Sequence, residues 1–312
     1  AKREPNNQFL QTVGAPLTRN KVKLPYYIGS LSKIKPETDA LTTFKKKFKG
    51  PYAVSLKLDG SSGVFYIDPI TNEQKFYTRG NGFYGKDITG LIKYLIKNKL
   101  KLTDKDRGLT VRGEIMISKK NFIELNNKLF KMGAEPFGDS RSVVNGIVNS
   151  KSLPWYIDYA EFIAHSVLNP RMKHDEQMTL LKDKNFTVVT HKVVEDVTNE
   201  MLTKYLIEQR EKANHMIDGI VVIDCSDVYD IEVGKDPVEG FAFKAVLDDQ
   251  KAETTVKDVE WIPSPFGYLI PTVWIEPVKL GGKEINKATG HDARFIEDNK
   301  ISPGAIVEVI LS

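Results

Sequence analysis

Residues 52–79 predict a strand, a turn and a second strand, and this local pairing limits the fold that the rest of the chain can adopt. The run 52–56 is apolar, and the turn-forming residues 68–72 indicate a hairpin loop. Because hairpins mix with helices without a repeating β-α-β order, the sequence predicts an α+β fold of antiparallel sheets flanked by helices. Further strands are predicted at 109–117, 156–168, 186–194 and 217–224, and helices at 36–49, 87–99, 119–132 and 198–213.

The character of the sequence changes after Lys251. Short strand-like runs at 254–261, 268–276 and 305–311 alternate with turns rich in proline and glycine, a pattern typical of a small β-barrel such as the OB-fold. The sequence therefore predicts two domains, one over residues 1–248 and a partial OB-fold over residues 249–312. The barrel is expected to be incomplete, because the chain stops directly after the last strand-like run.

Composition excludes several functional classes. With Cys225 as the single cysteine among 312 residues, an intrachain disulfide and a cysteine-based zinc site are both excluded, which fits a reducing compartment. No apolar run reaches the roughly 18 residues that a membrane helix needs, so we expect a soluble, intracellular, cytoplasmic protein.

The net charge of +4 is too small to indicate a nucleic-acid-binding protein by itself. The basic run 45–49 is either a solvated helix face or a patch that contacts phosphate.

Lys57 lies two residues before the pair Asp59-Gly60, at the end of the first predicted strand. A lysine amine attacks well only when burial or neighbouring cations hold it neutral. Enzymes that carry AMP or GMP on a lysine need such an amine beside a backbone turn that a nucleotide can approach. This interpretation makes Lys57 a candidate nucleophile. The same short pattern also arises by chance around solvated lysines.

Two segments could bind the phosphate and sugar of a nucleotide. The glycine-rich stretch 78–89 contains Arg79 and is expected to open a helix, where backbone amides and the guanidinium could hold a phosphate. Glu114 is expected at the end of a strand, where its carboxylate could accept from ribose hydroxyls or help to hold a metal. The structural alternative for the stretch 78–89 is a plain turn, and the structural alternative for Glu114 is an ordinary strand residue.

Two charged residues fall in apolar strand sequences. Asp218 opens the run 217–223, and burying its carboxylate is costly unless it meets a cation, so we expect a metal or a lysine beside it. Lys244 follows the apolar run 241–243 and could neutralise charge that develops on a phosphate. Both residues could instead be structural.

In chain order, Lys57, Glu114, Asp218 and Lys244 resemble the nucleophile, ribose carboxylate, metal carboxylate and phosphate lysine of the covalent nucleotidyltransferases. That superfamily includes DNA ligases, RNA ligases and mRNA capping enzymes. Asp59 belongs to the same motif as Lys57 and is counted with the catalytic residues.

Within the superfamily, the chain most resembles the NAD-dependent DNA ligases, over almost its whole length. The segment 288–292, Ala-Thr-Gly-His-Asp, resembles their Ala-Thr-Leu-His-Asn, which ATP-dependent ligases and capping enzymes do not share. The other similar segments are 13–16, the pair Ser30-Leu31, the loop 79–89, the stretch 138–146 with Arg141, and 255–261.

The resemblance implies a nucleotidyltransferase domain over residues 1–248 and a set of site residues. Lys57 would take AMP from NAD, pass it to the 5′-phosphate of a nick in duplex DNA, and so allow the strand to be sealed. The chain is expected to act as a monomer. The remaining implied contacts are Ser30, Leu31, Glu114 and His165 with the adenosine, Lys244 with phosphate of the cofactor, Asp218 and Glu114 with Mg²⁺, and Arg79, Arg141 and Arg210 with phosphates of the nucleic acid.

Four positions depart from the family pattern and indicate a divergent member. Ser55 replaces a glutamate that contacts adenine, and His165 replaces a tyrosine that stacks on it. Asn149 and Ile223 stand where the family has a basic residue and a lysine. The resemblance also implies a nicotinamide-binding module before residue 1 and further modules after residue 312. We therefore expect the chain to bind adenylate but to react poorly with NAD.

Three alternatives remain open on the sequence. The chain could be an ATP-dependent DNA or RNA ligase, a capping guanylyltransferase, or a non-catalytic DNA-binding scaffold of the same fold. Intact Lys57, Glu114, Asp218 and Lys244 argue against the scaffold, because a scaffold has no need of buried charges. Trp155, Trp261 and Trp274 are expected in the core, where they would not serve as stacking platforms for bases.

Overall fold

The structure, a computed structural model, describes residues 21–245, 251–264, 267–280 and 283–310. The chain divides into two compact units, Ala1–Lys244 and Ala245–Ser312. The family-like segment 13–16 and the expected domain boundary at residue 248 lie outside the described residues.

Runs of consecutive strands are separated by helices along the described residues. The strands are β1 Lys21–Lys23, β2 Ser32–Ile34, β3 Tyr52–Leu58, β4 Ser61–Ile67, β5 Gln74–Thr78, β6 Tyr84–Lys86, β7 Thr110–Ile117, β8 Ala160–Asn169, β9 His191–Val194, β10 Ile217–Asp224, β11 Gly240–Phe243, β12 Lys251–Pro263, β13 Leu269–Leu280, β14 Lys283–Thr289 and β15 Ile306–Ile310. The α-helices are α1 Ala40–Lys47, α2 Ile92–Leu95, α3 Lys119–Lys131, α4 Ser140–Asn149, α5 His174–Asp183, α6 Asn199–Lys212 and α7 Ala293–Asp298.

Two antiparallel sheets form the body of the first unit. One has the strand order β2-β11-β10-β3-β9, in which only the β2–β11 pair is parallel, and the other has the order β5-β4-β7-β8. The central strands β3, β10 and β11 are almost wholly buried, as their apolar sequences require. Helices α4 and α5 pack on the second sheet, and α6 packs on β10. The expected mixture of helices with antiparallel sheets is confirmed.

The chain crosses from the first sheet to the second at Asp59-Gly60. β3 pairs with β10, whereas β4 pairs with β5 and β7, and the expected hairpin loop joins β4 to β5. A Cβ on Gly60 would lie 2.3 Å from the carbonyl oxygen of Ile115, so only glycine allows β7 to approach this closely. The crossing leaves Lys57 beside the junction of the two sheets.

The second unit contains one antiparallel sheet with the order β14-β13-β12-β15. Its small core consists of Val256, Val273, Ile275, Leu280 and Val309. The three strand-like runs of the sequence correspond to β12, β13 and β15, and the structure adds β14.

Several sequence-based elements need correction. The helix expected at 87–99 is a single 3₁₀ turn at Thr89–Leu91 followed by the short α2. The strand expected at 156–168 begins only at Ala160, and the one expected at 186–194 begins at His191. Trp155 and Trp261 are 46% and 40% exposed, so their expected place in the core is wrong. The ring of Trp155 instead lies at the surface, 4.7 Å from the Lys128 ammonium.

Candidate functional site

A cavity of about 740 Å³ in the first unit is lined by strands of both sheets. This volume is in the range of pockets that bind small ligands and cofactors. Nine of the predicted site residues line the cavity: Ser30, Leu31, Lys57, Asp59, Arg79, Glu114, Arg141, His165 and Lys244. The tenth, Asp218, contacts two of them, and Arg210 is not among the lining residues.

At one end of the cavity the carboxylate of Asp218 accepts hydrogen bonds from two lysines. Its oxygens lie 2.7 and 2.9 Å from Nζ of Lys57, and Nζ of Lys244 lies 2.9 Å from Oδ2. The three side chains are 27–29% exposed. The expected cation beside Asp218 is therefore present, in the form of two lysine ammonium groups. Two cations around one anion leave a net positive charge, which favours an incoming phosphate.

Backbone packing brings these three residues together. Lys57 pairs with Gly219 in the β3–β10 register, which shifts between Ile217 and Gly219. A Cβ on Gly219 would lie 2.5 Å from the carbonyl oxygen of Phe243. Glycine at this position therefore allows the end of β11 to lie against β10 and places Lys244 beside Asp218.

Glu114 shares one face of β7 with Arg112, a cavity residue that the sequence did not single out. Burial raises the pKa of Glu114 to about 7, although the charges of Arg112 and Lys57 act to lower it. Burial also lowers the pKa of Arg112 to about 10, against the effect of Glu114. Glu114 lies inside the strand, which continues to Ile117, and not at its end as expected.

Asp59 and Arg141 form an ion pair at the edge of the cavity. Nη1 of Arg141 donates to Oδ1 of Asp59 over 2.8 Å, and the arginine side chain is 57% exposed. Arg141 lies in the first turn of α4, whose N-cap is Asp139. The exposed guanidinium is thus held next to the motif that contains Lys57.

Arg79 braces the cavity wall that contains Ser30. Its Nη2 donates to Oγ of Ser30 over 2.7 Å, and its Nε donates to the carbonyl of Ile28 over 3.2 Å. The glycine-rich loop does not open a helix as expected. It leads into β6, which pairs with β1. A phosphate site at a helix N-terminus is therefore not available from this loop.

His165 lies on β8 with Nδ1 2.8 Å from Oγ of Ser166. Burial lowers its pKa well below the usual value, and the charge of Arg112 adds to the effect. The imidazole is consequently neutral near pH 7. Its flat ring lines the same cavity as Ser55, which is 5% exposed.

Arg210 lies near the C-terminal end of α6, where its carbonyl accepts from Nζ of Lys119 over 2.7 Å. Its side chain is not among those that line the cavity. Its expected phosphate contact rests on the sequence alone.

Among the residues that the structure describes, no group of three His, Cys, Asp or Glu side chains could hold a metal by itself. Mg²⁺ characteristically takes one or two carboxylates and completes its shell with water and substrate phosphates. Asp218 and Glu114 are suited to that limited role. In the same parts of the chain, no helix is long and apolar enough to cross a membrane.

Comparisons with known proteins point to one family. The family model of the NAD-dependent DNA ligase adenylation domain matches residues 32–232. A DNA ligase of Acanthamoeba polyphaga mimivirus is 35% identical over 311 residues, covering 99% of the chain and 47% of the relative. A DNA ligase of Halothermothrix orenii is 29% identical, covering 96% of the chain and 47% of the relative. The chain spans about half the length of the curated relatives it matches.

A solved structure named Pmar-Lig_Pre supports the fold. It is 14% identical, with a TM-score of 0.54, and the match covers 91% of this chain and 62% of the other.

Proposed function

Since the chain belongs to the NAD-dependent DNA ligase family, we propose that it is the catalytic core of a DNA ligase. It takes AMP from NAD onto Lys57, transfers it to the 5′-phosphate at a nick, and then joins the strands. The observation that carries this proposal is the Asp218 carboxylate between Nζ of Lys57 and Nζ of Lys244, at 2.7 and 2.9 Å. A nucleophile and a phosphate-neutralising cation are thereby held at one end of a nucleotide-sized cavity.

In the first step, Nζ of Lys57 attacks the adenylyl phosphorus of NAD. A P–N bond forms, the P–O bond to nicotinamide mononucleotide breaks, and that group leaves with the electron pair. The amine must first give up a proton and its contact with Asp218. Lys244 shares the same carboxylate, so it is placed to neutralise the charge that develops on the phosphate.

In the second step, an oxygen of the 5′-phosphate attacks the lysyl-AMP phosphorus and the P–N bond to Lys57 breaks, so that Lys57 leaves as the amine. In the third step, the 3′-hydroxyl loses its proton and attacks the phosphorus of the 5′-phosphate, and the P–O bond to AMP breaks, so that AMP leaves with the electron pair. We propose that Arg141 binds a phosphate of the nicked strand, supported by its exposure beside Asp59. Arg79 and Arg210 remain further candidates for phosphate contacts. Arg79 is the better supported of the two, because it lines the cavity.

The wall around His165 is proposed to bind the adenosine. A neutral imidazole is a flat surface on which adenine can stack, and Ser30 and Leu31 line the same cavity. Glu114 is proposed to accept from the ribose hydroxyls. When bound through the substrate phosphates and Asp218 or Glu114, Mg²⁺ would shield phosphate charge during transfer.

We also propose that residues 249–312 belong to an OB-fold that contacts nicked duplex DNA. Its support is the antiparallel sheet of β12, β13, β14 and β15 around a small apolar core. We propose that the chain acts as a monomer inside the cell, in the cytoplasm. The support for a monomer is that side chains of this one chain line the cavity.

The proposal is tested by the intact mass of the chain after incubation with NAD, ATP or GTP, followed by peptide mapping around Lys57. We expect a slow and partial AMP adduct on Lys57 with NAD, no adduct in Lys57→Ala, and the same slow adduct in the control Lys120→Ala, an exposed residue of α3. An adduct only with ATP would favour an ATP-dependent ligase, and a GMP adduct would favour a capping enzyme.

A chain without an adduct is tested on a nick that already has a 5′-adenylate. Sealing of that nick would keep the ligase assignment, because the last step needs no reaction with NAD. Failure to seal it, together with salt-dependent binding to nicked duplex, would instead establish the non-catalytic scaffold.

A further inference from the structure

The connection between β10 and β11, residues 225–239, lies along the cavity, and we name it the strap. Its start is fixed by the buried Asp224, which accepts from the amide of Gly50 over 2.7 Å and from the hydroxyl of Tyr229 over 2.6 Å. Further along, Ile231 packs against a cluster that contains Leu24 and Val64. The strap therefore reaches from the first sheet to apolar residues packed on the second.

The strap meets the cavity wall at Asp236 and Pro237. Oδ1 of Asp236 accepts from the amide of Ser30 over 2.7 Å. A Cβ on Gly29 would lie 2.8 Å from Cδ of Pro237, so only glycine at residue 29 allows this contact. Two separate contacts thus hold the strap against one short segment of the wall.

That wall segment, residues 28–30, belongs to neither a strand nor a helix. Its backbone is held by charged side chains from three distant parts of the chain. Arg79 donates to the carbonyl of Ile28, Arg112 donates to the carbonyl of Gly29 over 3.2 Å, and Asp236 accepts from the amide of Ser30. The placement of Ser30 and Leu31 at the cavity consequently depends on these three contacts.

We propose that Asp236 is a positioning residue of the nucleotide pocket. It holds the backbone of Ser30 so that residues 30 and 31 keep the shape of the wall against which the adenosine binds. The inference rests on the proposed function, because it takes the cavity to be a site for adenylate. Asp236 is exposed and lies at the cavity, and we infer that it acts through its hydrogen bond with the amide of Ser30.

The test is the affinity of the 312-residue chain, free of adduct by intact mass, for AMP by calorimetry. In Asp236→Ala the amide of Ser30 loses its acceptor, and we expect the Kd for AMP to rise about fivefold to tenfold. Asp236→Asn keeps an oxygen at the same place and should restore the Kd to within about twofold of the original value. Val233→Ala is the control, since Val233 lies in the strap, is 73% exposed and does not line the cavity.

Adduct formation gives a second readout. In Asp236→Ala, the NAD concentration for half-maximal rate should rise by the same factor, while the rate at saturating NAD stays unchanged. If the original chain binds AMP and Asp236→Ala binds it equally well, the inference is wrong and the proposed function stands. If Val233→Ala weakens binding as much as Asp236→Ala, the strap acts only as a scaffold and the inference is also wrong. If the original chain does not bind AMP, the proposed function and the inference about Asp236 are both wrong.

Discussion

At the scale of single residues, the proposed chemistry depends on one carboxylate that lies between two ammonium groups. Lys57 and Lys244 would repel each other if Asp218 did not lie between them, since both partly buried cations share it. Asp218 therefore holds the proposed nucleophile, Lys57, and the second lysine, Lys244, in place.

Removing the charge of Asp218 should slow adduct formation. Asp218→Asn keeps a similar shape but leaves two lysines without their counter-ion, so we expect the rate of AMP transfer to Lys57 to fall at least about tenfold. Quenched time courses read by intact mass give the rate, with Asp68→Asn, in an exposed turn, as the control. An unchanged rate would remove Asp218 from the mechanism.

Arg141 should contribute one phosphate contact to DNA binding. Its guanidinium is exposed beside Asp59, so Arg141→Ala should weaken binding to nicked duplex and reduce the slope of log Kd against log salt by about one. Fluorescence anisotropy across a salt series measures this slope. Arg107→Ala serves as the comparison, because Arg107 binds carbonyls of the 69–70 turn outside the cavity. Equal slopes for both variants would argue against a phosphate contact at Arg141.

At the scale of elements, the crossing between the sheets positions Lys57. A methyl group at residue 60 would overlap the backbone of β7, so Gly60→Ala should lower the free energy of unfolding by about 2 kcal/mol. Gly90→Ala is the matched control, since no heavy atom lies within 4 Å of its added Cβ. Urea denaturation followed by circular dichroism gives both values. Equal stability of the two variants would show that β7 can move away without cost.

The start of the strap should make stability depend on pH. Burial acts to raise the pKa of Asp224, but hydrogen bonds from Ser226, Tyr229 and the amide of Gly50 outweigh it, and the pKa is lowered. Because the pKa of Asp224 is lower in the folded state, its carboxylate stabilises the folded protein at pH values above the pKa of the unfolded state, about 3.9. This stabilisation is lost as the pH falls from that value through the lower pKa of the folded state.

Asp224→Asn should therefore cost about 2 kcal/mol at pH 7 and flatten the loss of stability below about pH 4. Urea denaturation between pH 3 and pH 7 measures both effects. The control is Asp227→Asn. Asp227 lies three residues further along, inside the strap, and among the described contacts its carboxylate accepts only from the neighbouring amide of Val228. A parallel pH profile for Asp224→Asn and the original chain would contradict the role of Asp224.

At the scale of the whole molecule, the cavity belongs to one unit. All of its lining residues fall between Tyr27 and Lys244, inside the first unit. We therefore expect residues 1–244, produced alone, to bind AMP with a Kd within about twofold of that of the full chain. Calorimetry on both proteins tests this, with circular dichroism to establish that the shorter one is folded. A much weaker Kd for a folded first unit would show that the second unit completes the site.

The sequence by itself determined the central strands of the first unit and the charged residues that meet at the cavity. The apolar strands around Lys57, Asp218 and Lys244 could be predicted because strand character depends on neighbouring residues, and a charge in an apolar run is conspicuous. The resemblance added Ser30, Leu31 and His165, whose own sequence surroundings are ordinary.

Only the tertiary structure decided how these residues meet. The contact of Lys57 with Asp218 spans 161 positions and depends on a shifted register that a glycine permits. The contacts of Arg112 with Gly29 and of Asp236 with Ser30 likewise join residues that are far apart in the sequence. Arg210, which the resemblance places in contact with a phosphate of the nucleic acid, does not line the cavity, and that contact stays a prediction. Strand register and sheet crossing arise from burial and packing among distant residues, which local sequence patterns do not encode.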